Sequence, residues 1–223
     1  SGGIIAMASG PTYDPNLLTG NQRRNNFSWM LRDTARPLFN RAIKGQYPPG
    51  STVKPAGALI ALDEGVITPG FGLGCNGAYY GCRRAIGCTH KTPGHAGNLR
   101  VALSNSCNSY FSHLYRLAVD NPRLGGTVNG YLRWKQYMNS FGLGVRLGVD
   151  LPSEDKGLIA DTSFYNKLYN RSWSSCTNVF LGIGQGEMQA TPLQMANMMC
   201  IIANKGFYYT PHFVQSIDGQ QES

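Results

Sequence analysis

The run Tyr47-Pro48-Pro49-Gly50-Ser51-Thr52-Val53-Lys54-Pro55 constrains this chain more than any other stretch. Pro48, Pro49 and Gly50 punctuate a loop. Behind them Ala56, Leu59, Ile60 and Asp63 recur at helical spacing, and Gly65 is placed to close the helix. Ser51 therefore sits at or near a helix N-terminus, and Lys54, three residues on, shares its face. A serine hydroxyl is a weak nucleophile until a base takes its proton. A lysine whose pKa is lowered by burial and by the positive end of a helix is such a base. Ser-x-x-Lys alone more often marks an N-terminal serine beside a solvated lysine. Pro55 deletes a backbone donor and disfavours helix at Lys54, which suits a shaped site better than an ordinary helix.

A length of 223 residues suits one large domain or two small ones, and 42% hydrophobic against 14% charged residues provides a core and excludes disorder. The net charge of +8 admits nucleic acid, an anionic membrane or an anionic polymer as partner. No Lys/Arg run exceeds two residues and no nucleic-acid motif appears, which argues against nucleic acid. No apolar run approaches the ~18 residues of a membrane span, and no signal peptide is present. The chain opens at Ser1-Gly2-Gly3 without a methionine, so it reads as a piece of something longer.

In chain order, Gly3 to Ser9 reads as a buried strand ended by Gly10-Pro11. Residues 17–46 read as loop and short helix. A glycine-rich insert from about 66 to 97 holds Cys75, Cys82, Cys88, His90 and His95. A short helix around Leu99–Leu103 breaks at Ser104-Asn105-Ser106. A second runs from Asn108 through Tyr110, Phe111, Leu114 and Leu117, and a third from about Val128 to Phe141. Thr191-Pro192-Leu193-Gln194 is a capping box with proline in the first turn. The helix behind it is apolar nearly all round, with Met195, Met198, Met199 and Ile202 as core filling, so it is expected to be central and buried. Phe207 to Ile217 reads as a strand interrupted at Pro211.

Ser106-Cys107-Asn108 lies between two of these helices. Ser-x-Asn usually marks a cap, but after a Ser-x-x-Lys helix it is the second motif of the penicillin-binding protein and serine β-lactamase superfamily. The match continues in Pro11-Thr12-Tyr13-Asp14-Pro15-Asn16, Gly94-His95, Ser109-Tyr110-Phe111, Gly182-Ile183-Gly184-Gln185-Gly186, Thr191 to Ala196, and Ile202-Ala203-Asn204. The chain resembles the transpeptidase domain of the elongation-specific class B penicillin-binding proteins, the type numbered two. The resemblance implies an α/β (α+β) fold, with an antiparallel sheet flanked by helices and an all-helical subregion. It also implies a peptidoglycan D,D-transpeptidase activity on D-Ala-D-Ala stem peptides. Ser51 would be the nucleophile and Lys54 its base. Ser106 would pass a proton to the leaving group, and Asn108 would hold Lys54 and the substrate amide. The backbone N–H of Ser51 would be half of an oxyanion hole.

The third motif of that superfamily, Lys-Thr-Gly on a strand, is absent, since Lys91-Thr92 is followed by Pro93 in the wrong region. The expectation is one transpeptidase domain over 1–223, incomplete at its C-terminus, with its last strands missing and its own acylation impaired. The implied partners are stem peptides, the lipid-linked precursor, β-lactam antibiotics and a membrane glycosyltransferase of the elongation machinery. The implied location is the periplasmic face of the inner membrane, reached by an N-terminal anchor outside this chain. A β-lactam-sensing receptor on the same fold and a scaffold that only binds a membrane partner are the rival readings.

The six cysteines read two ways. Free buried thiols, or a Cys75–Cys82 disulfide, would be purely structural. The resemblance implies instead a structural zinc held by Cys75, Cys88, His95 and Cys107, although none of their spacings is a zinc-finger one. Cys82 and His90 are the substitutes if one ligand differs, and Cys176 and Cys200 are expected to be plain core thiols. No organic cofactor is expected.

Overall fold

The computed structural model describes residues 1–217 together with 220 and 221. Among them the helices are α1 (Arg23–Arg32), α2 (Arg41–Lys44), α3 (Lys54–Asp63), α4 (Leu99–Ser104), α5 (Asn108–Val119), α6 (Thr127–Ser140), α7 (Thr162–Leu168) and α8 (Pro192–Ala203). The strands are β1 (Ala78–Tyr79), β2 (Ile86–Gly87), β3 (Leu158–Ile159), β4 (Met188–Gln189), β5 (Ser216–Ile217) and β6 (Gln220–Gln221). They form three antiparallel ladders, β1–β2, β3–β4 and β5–β6.

Helix α5 is the axis of the fold. Its apolar residues Tyr110, Phe111, Leu114, Tyr115, Ala118 and Val119 recur at helical spacing, and all are buried. They pack on α3, α6, β1 and a 3-10 turn at Val179–Ile183. At the α5–α6 crossing the backbones nearly touch, because a Cβ on Gly130 would lie 1.8 Å from the Val119 carbonyl oxygen. An aromatic cluster fills the far side of α6: Tyr131 stacks near Trp134 and meets Tyr165 and Trp173 edge-on. The Tyr131 hydroxyl donates to the Ala160 carbonyl at 2.6 Å and that of Tyr115 to Asn178 Oδ1 at 2.8 Å, so burial leaves neither phenol unpaired.

The capping box of α8 forms as its sequence predicts. Gln194 N–H donates to Thr191 Oγ1 at 3.2 Å, and Thr191 N–H donates to Gln194 Oε1 at 2.9 Å. Gln194 Nε2 also ties the helix start to the carbonyls of Val145 and Lys156. The expected all-round burial of α8 does not occur. Leu193, Asn197, Met198 and Ile201 face inward, whereas Met199 is 41% exposed and Cys200 lies on the surface. Gly3–Ser9 is likewise not a buried strand. Gly3 makes one parallel bridge to His212 and Ile5 is fully exposed. An apolar run becomes a buried strand only between neighbours, and among the described residues this one has a partner at a single point. The strand expected over Phe207 to Ile217 reduces to that bridge and β5, with Phe207 and Tyr209 exposed.

Candidate active site

Ser51 lies in a 3-10 turn, Gly50–Val53, that runs straight into α3. Pro55 therefore falls at the second position of that helix, where a missing N–H costs nothing, and it does not break the helix. The turn is held from both sides. Tyr47 and Ala190 exchange backbone hydrogen bonds at 3.0 and 2.9 Å, and Gly50 N–H donates to the Gly184 carbonyl at 2.8 Å. Gly184 has φ +70°, and a Cβ there would sit 2.1 Å from the Gly50 oxygen. Gly184→Ala is thus expected to push on the residue next to the serine. It should cost about 2 kcal/mol or more from overpacking and a left-handed backbone. Thermal unfolding of the variant checks this; an unchanged Tm would show that the turn moves freely.

Lys54 is 1% exposed. Its ammonium donates to the Ser106 carbonyl at 2.7 Å, to Ser106 Oγ at 2.9 Å and to Asn108 Oδ1 at 2.7 Å. The Phe111 ring lies 5.5 Å from Nζ. Burial lowers its pKa from 10.5 to about 8, while negative charge on Cys107 and Cys88 would act the other way. Three of the four expected catalytic side chains are therefore joined by hydrogen bonds. The Ser51 side chain is exposed and has no hydrogen bond among the described residues.

The corner that carries Ser106 and Asn108 follows from helix-end chemistry. Ser106 N–H donates to the Leu103 carbonyl and Cys107 N–H to the Ala102 carbonyl, the paired bonds of a Schellman motif closing α4. Ser106 occupies the left-handed position that glycine usually takes, with φ +50°. A left-handed serine costs about 1–2 kcal/mol, and here it turns the hydroxyl and carbonyl toward Lys54. Cys107 then caps α5, its sulfur accepting from Tyr110 N–H at 3.4 Å. Asn108 Nδ2 donates to the Gly87 carbonyl of β2 at 2.8 Å. That contact was invisible in the sequence, because a backbone carbonyl carries no residue signature.

Cys75, Cys88, His95 and Cys107 converge, all buried, with their ligand atoms within 4.8 Å of one another. Cys75 and Cys88 sulfurs are 3.6 Å apart and Cys88 and Cys107 sulfurs 3.8 Å. Those separations are far beyond the ~2.05 Å of a disulfide. They match the ~3.8 Å edge of a tetrahedron with metal–sulfur bonds of ~2.3 Å. His95 Nδ1 contacts the Thr92 carbonyl at 2.6 Å, so it carries the proton and Nε2 presents its lone pair. Nε2 is buried and has no partner among the described residues. An orphaned, ligand-ready nitrogen beside three thiols fits a metal ion. Ser109 supports the cluster: its hydroxyl lies 3.1 and 3.2 Å from the sulfurs of Cys75 and Cys88, and its N–H donates to Cys88.

Two expectations about the other cysteines are corrected. Cys82 and Cys176 form a disulfide across 94 residues, so Cys82 is neither a substitute ligand nor a partner of Cys75, and Cys176 is not a free core thiol. Cys200 is free but exposed. His90 packs its ring 5.4 Å from His95 without joining the four ligand atoms.

The penicillin binding protein transpeptidase domain model matches residues 1–223. The peptidoglycan D,D-transpeptidase MrdA of Escherichia coli is 34% identical over 225 residues, covering 99% of this chain and 34% of that protein. The enzyme of the same name from Haemophilus influenzae is 33% identical over 219 residues, covering 97% and 32%. The chain thus spans about a third of the length of these relatives. In three dimensions it is similar to Pseudomonas aeruginosa PBP2 in complex with WCK 5153, with TM-score 0.85, 35% identity, 100% of this chain and 49% of that one. It is also similar to PBP2 of Helicobacter pylori in complex with MreC, with TM-score 0.78, 27% identity, and coverage of 96% and 38%. The sequence match runs from the first residue to the last and the same course is followed in space, so this chain belongs to the penicillin-binding protein transpeptidase domain family.

Proposed function

We propose that this chain is the acyl-transfer unit of a peptidoglycan D,D-transpeptidase of cell-wall elongation. The observation that carries the reading is Lys54, buried at the start of the Ser51 helix and held by all three of its N–H groups on Ser106 and Asn108. An ordinary structural lysine has no reason to be drawn out of water onto a strained serine corner.

The chemistry follows from these residues. In its neutral form Lys54 gives up one of these three hydrogen bonds, and the freed lone pair takes the Ser51 hydroxyl proton as Oγ attacks the carbonyl carbon of a D-Ala-D-Ala amide. The C–N bond breaks, and the departing amine receives a proton from the Ser106 hydroxyl. That hydroxyl accepts from Lys54 and so has its own hydrogen free to give. Lys54 restores the proton to Ser106. The amine of a second stem peptide then attacks the ester carbonyl and loses a proton to the neutral Lys54; the C–O bond to Ser51 breaks, and Lys54 returns that proton to Ser51 Oγ, leaving the cross-link and the free serine. A β-lactam would follow the first half, its ring amide opening onto Ser51. Asn108 keeps one Nδ2 hydrogen on Gly87 and has a second for the substrate carbonyl.

Cys75, Cys88, His95 and Cys107 would hold a zinc ion whose contribution is a closed four-ligand clamp, with no open position for chemistry. The clamp would fix the backbone of Cys107 and with it the directions of Ser106 and Asn108. Partners under this reading are stem peptides, the lipid-linked precursor, β-lactams and the membrane proteins of the elongation machinery, in line with the MreC complex of the Helicobacter relative. Its place of work is the periplasmic face of the inner membrane. No helix among the described residues is long and apolar enough to cross a membrane.

The test is the pH profile of penicillin acylation in the natural full-length protein. Lys54 is a base only when deprotonated, and its pKa is lowered to about 8. The acylation rate should rise about tenfold per pH unit from pH 6 toward 8 and level off above. A profile that is flat or falling over that range would remove Lys54 from the base role.

A further inference from the structure

We propose that the β1–β2 hairpin is a strap laid along α5, and that Arg116 and the Cys82–Cys176 disulfide anchor its far end and so position Asn108 and two metal-ligating thiols at its near end. The inference rests on the function proposed above.

At the near end the ladder pairs Ala78 with Gly87 and Tyr79 with Ile86, and Cys88 N–H donates to the Gly77 carbonyl at 2.8 Å. The two legs of the hairpin therefore run into Cys75 and Cys88, half of the ligand set. Between those legs and the catalytic corner lies the Gly87 carbonyl, which accepts from Asn108 Nδ2. An ammonium only donates and a carbonyl only accepts. Asn108, caught between Lys54 and Gly87, therefore has one amide orientation, Oδ1 on Lys54 and Nδ2 on Gly87. Lys54 and the strap fix that orientation from opposite sides.

The far end is fixed two turns along α5, about 12 Å away at ~1.5 Å per residue. Arg116 Nη1 donates to the Gly81 carbonyl at 2.7 Å and to the Tyr79 hydroxyl at 3.2 Å, and Nε donates to Ser175 Oγ at 3.0 Å. Nη2 meets Asp120 at 3.3 Å, and Ser175 donates to the same carboxylate at 2.5 Å. Next to Gly81 and Ser175 stand the two halves of the disulfide, Cys82 and Cys176. A hairpin with two strand residues per leg does not hold its own shape in water. Tyr79 and Ile86 bury its middle in the core, and its ends set how it lies there, so release at the far end shifts Gly87 and Cys88 at the near one. Arg116 is in this sense a positioning residue: it touches neither substrate nor reacting atoms.

The experiment compares wild type, Arg116→Ala, Arg116→Lys and the double variant Cys82→Ser with Cys176→Ser, all as zinc-loaded full-length protein. The amides of Ser109 and Tyr110 donate to the sulfurs of Cys88 and Cys107, and so report the near end directly. Their hydrogen exchange should accelerate about tenfold in Arg116→Ala and in the double variant, with α3 and α8 amides unchanged. Zinc release into excess chelator should accelerate about tenfold in the same proteins. Arg116→Lys should fall between, since lysine reaches Gly81 but cannot also hold Ser175 and Tyr79. The acylation step with penicillin should slow about fivefold while the preceding non-covalent affinity stays within about twofold. Wild-type exchange and release in both anchor variants would overturn the proposal. So would acceleration spread equally over α3 and α8, which would mean mere loss of stability. If wild type is never acylated, the functional reading falls, and exchange and release still decide the strap.

Discussion

Replacing Lys54 by methionine is expected to slow penicillin acylation by about 10³-fold or more, in the range of a lost general base. Methionine fills much of the same volume and removes only the head group. It also leaves the Ser106 carbonyl, Ser106 Oγ and Asn108 Oδ1 without their donor, but both residues are only half-buried, so water can replace part of the loss and the cost stays toward the low end of about 1–3 kcal/mol each. Part of that cost is offset, because a buried charge no longer has to be kept out of water. The folded protein should therefore survive with a modestly lower Tm. Lys54→Arg separates the two roles of the residue. Arginine keeps the positive charge and the donors but stays protonated at any working pH. If Lys54 acts as base, Lys54→Arg should be as slow as Lys54→Met. Activity within about tenfold of wild type would mean that a cation, and not a base, is what the site needs.

Loss of the metal is expected to have the next largest effect. Chelation, or Cys107→Ser, should lower Tm by about 10 °C, equivalent to about 3–5 kcal/mol for a chain of this size. The 66–97 insert has little regular structure beyond the β1–β2 ladder and buries only a few apolar residues, such as Ile67, Tyr79 and Ile86, so converged thiols would add much of its cohesion. Acylation should fall about 10–100-fold although Ser51 and Lys54 are untouched, because Cys107 lies between Ser106 and Asn108 in the chain. Cys200→Ser is the control, a thiol on the exposed side of α8. Elemental analysis should find about one zinc per chain. Metal-free protein with an unchanged Tm and acylation rate would refute the assignment.

The features that could be read from the sequence are those encoded locally. The α8 capping box needs only Thr191 and Gln194, three residues apart, and forms as its sequence predicts. So do the helix after Ser51, the break at Ser104 to Ser106, and the α5 face. The residues proposed as catalytic are marked by their motifs, but only half of their mutual arrangement is legible there. Helical spacing placed Lys54 beside Ser51, whereas the fold turns all three of its donors onto a corner more than fifty residues away. The four residues of the proposed metal site have uninformative spacings, since hairpin closure and the α4–α5 corner bring them together and neither leaves a sequence period. The Cys82–Cys176 bond was out of reach for the same reason, at 94 residues of separation. The apolar runs at Gly3–Ser9 and along α8 misled because hydrophobicity shows what would gain from burial, and the rest of the chain decides what is covered.

The most direct test is which atom becomes acylated. The natural full-length protein should be treated with a penicillin, digested, and mapped by mass spectrometry. The expected result is one penicilloyl group per chain, on Ser51, and none after Ser51→Ala. An adduct on Ser106 or Cys200, or undiminished labelling of Ser51→Ala, would contradict it.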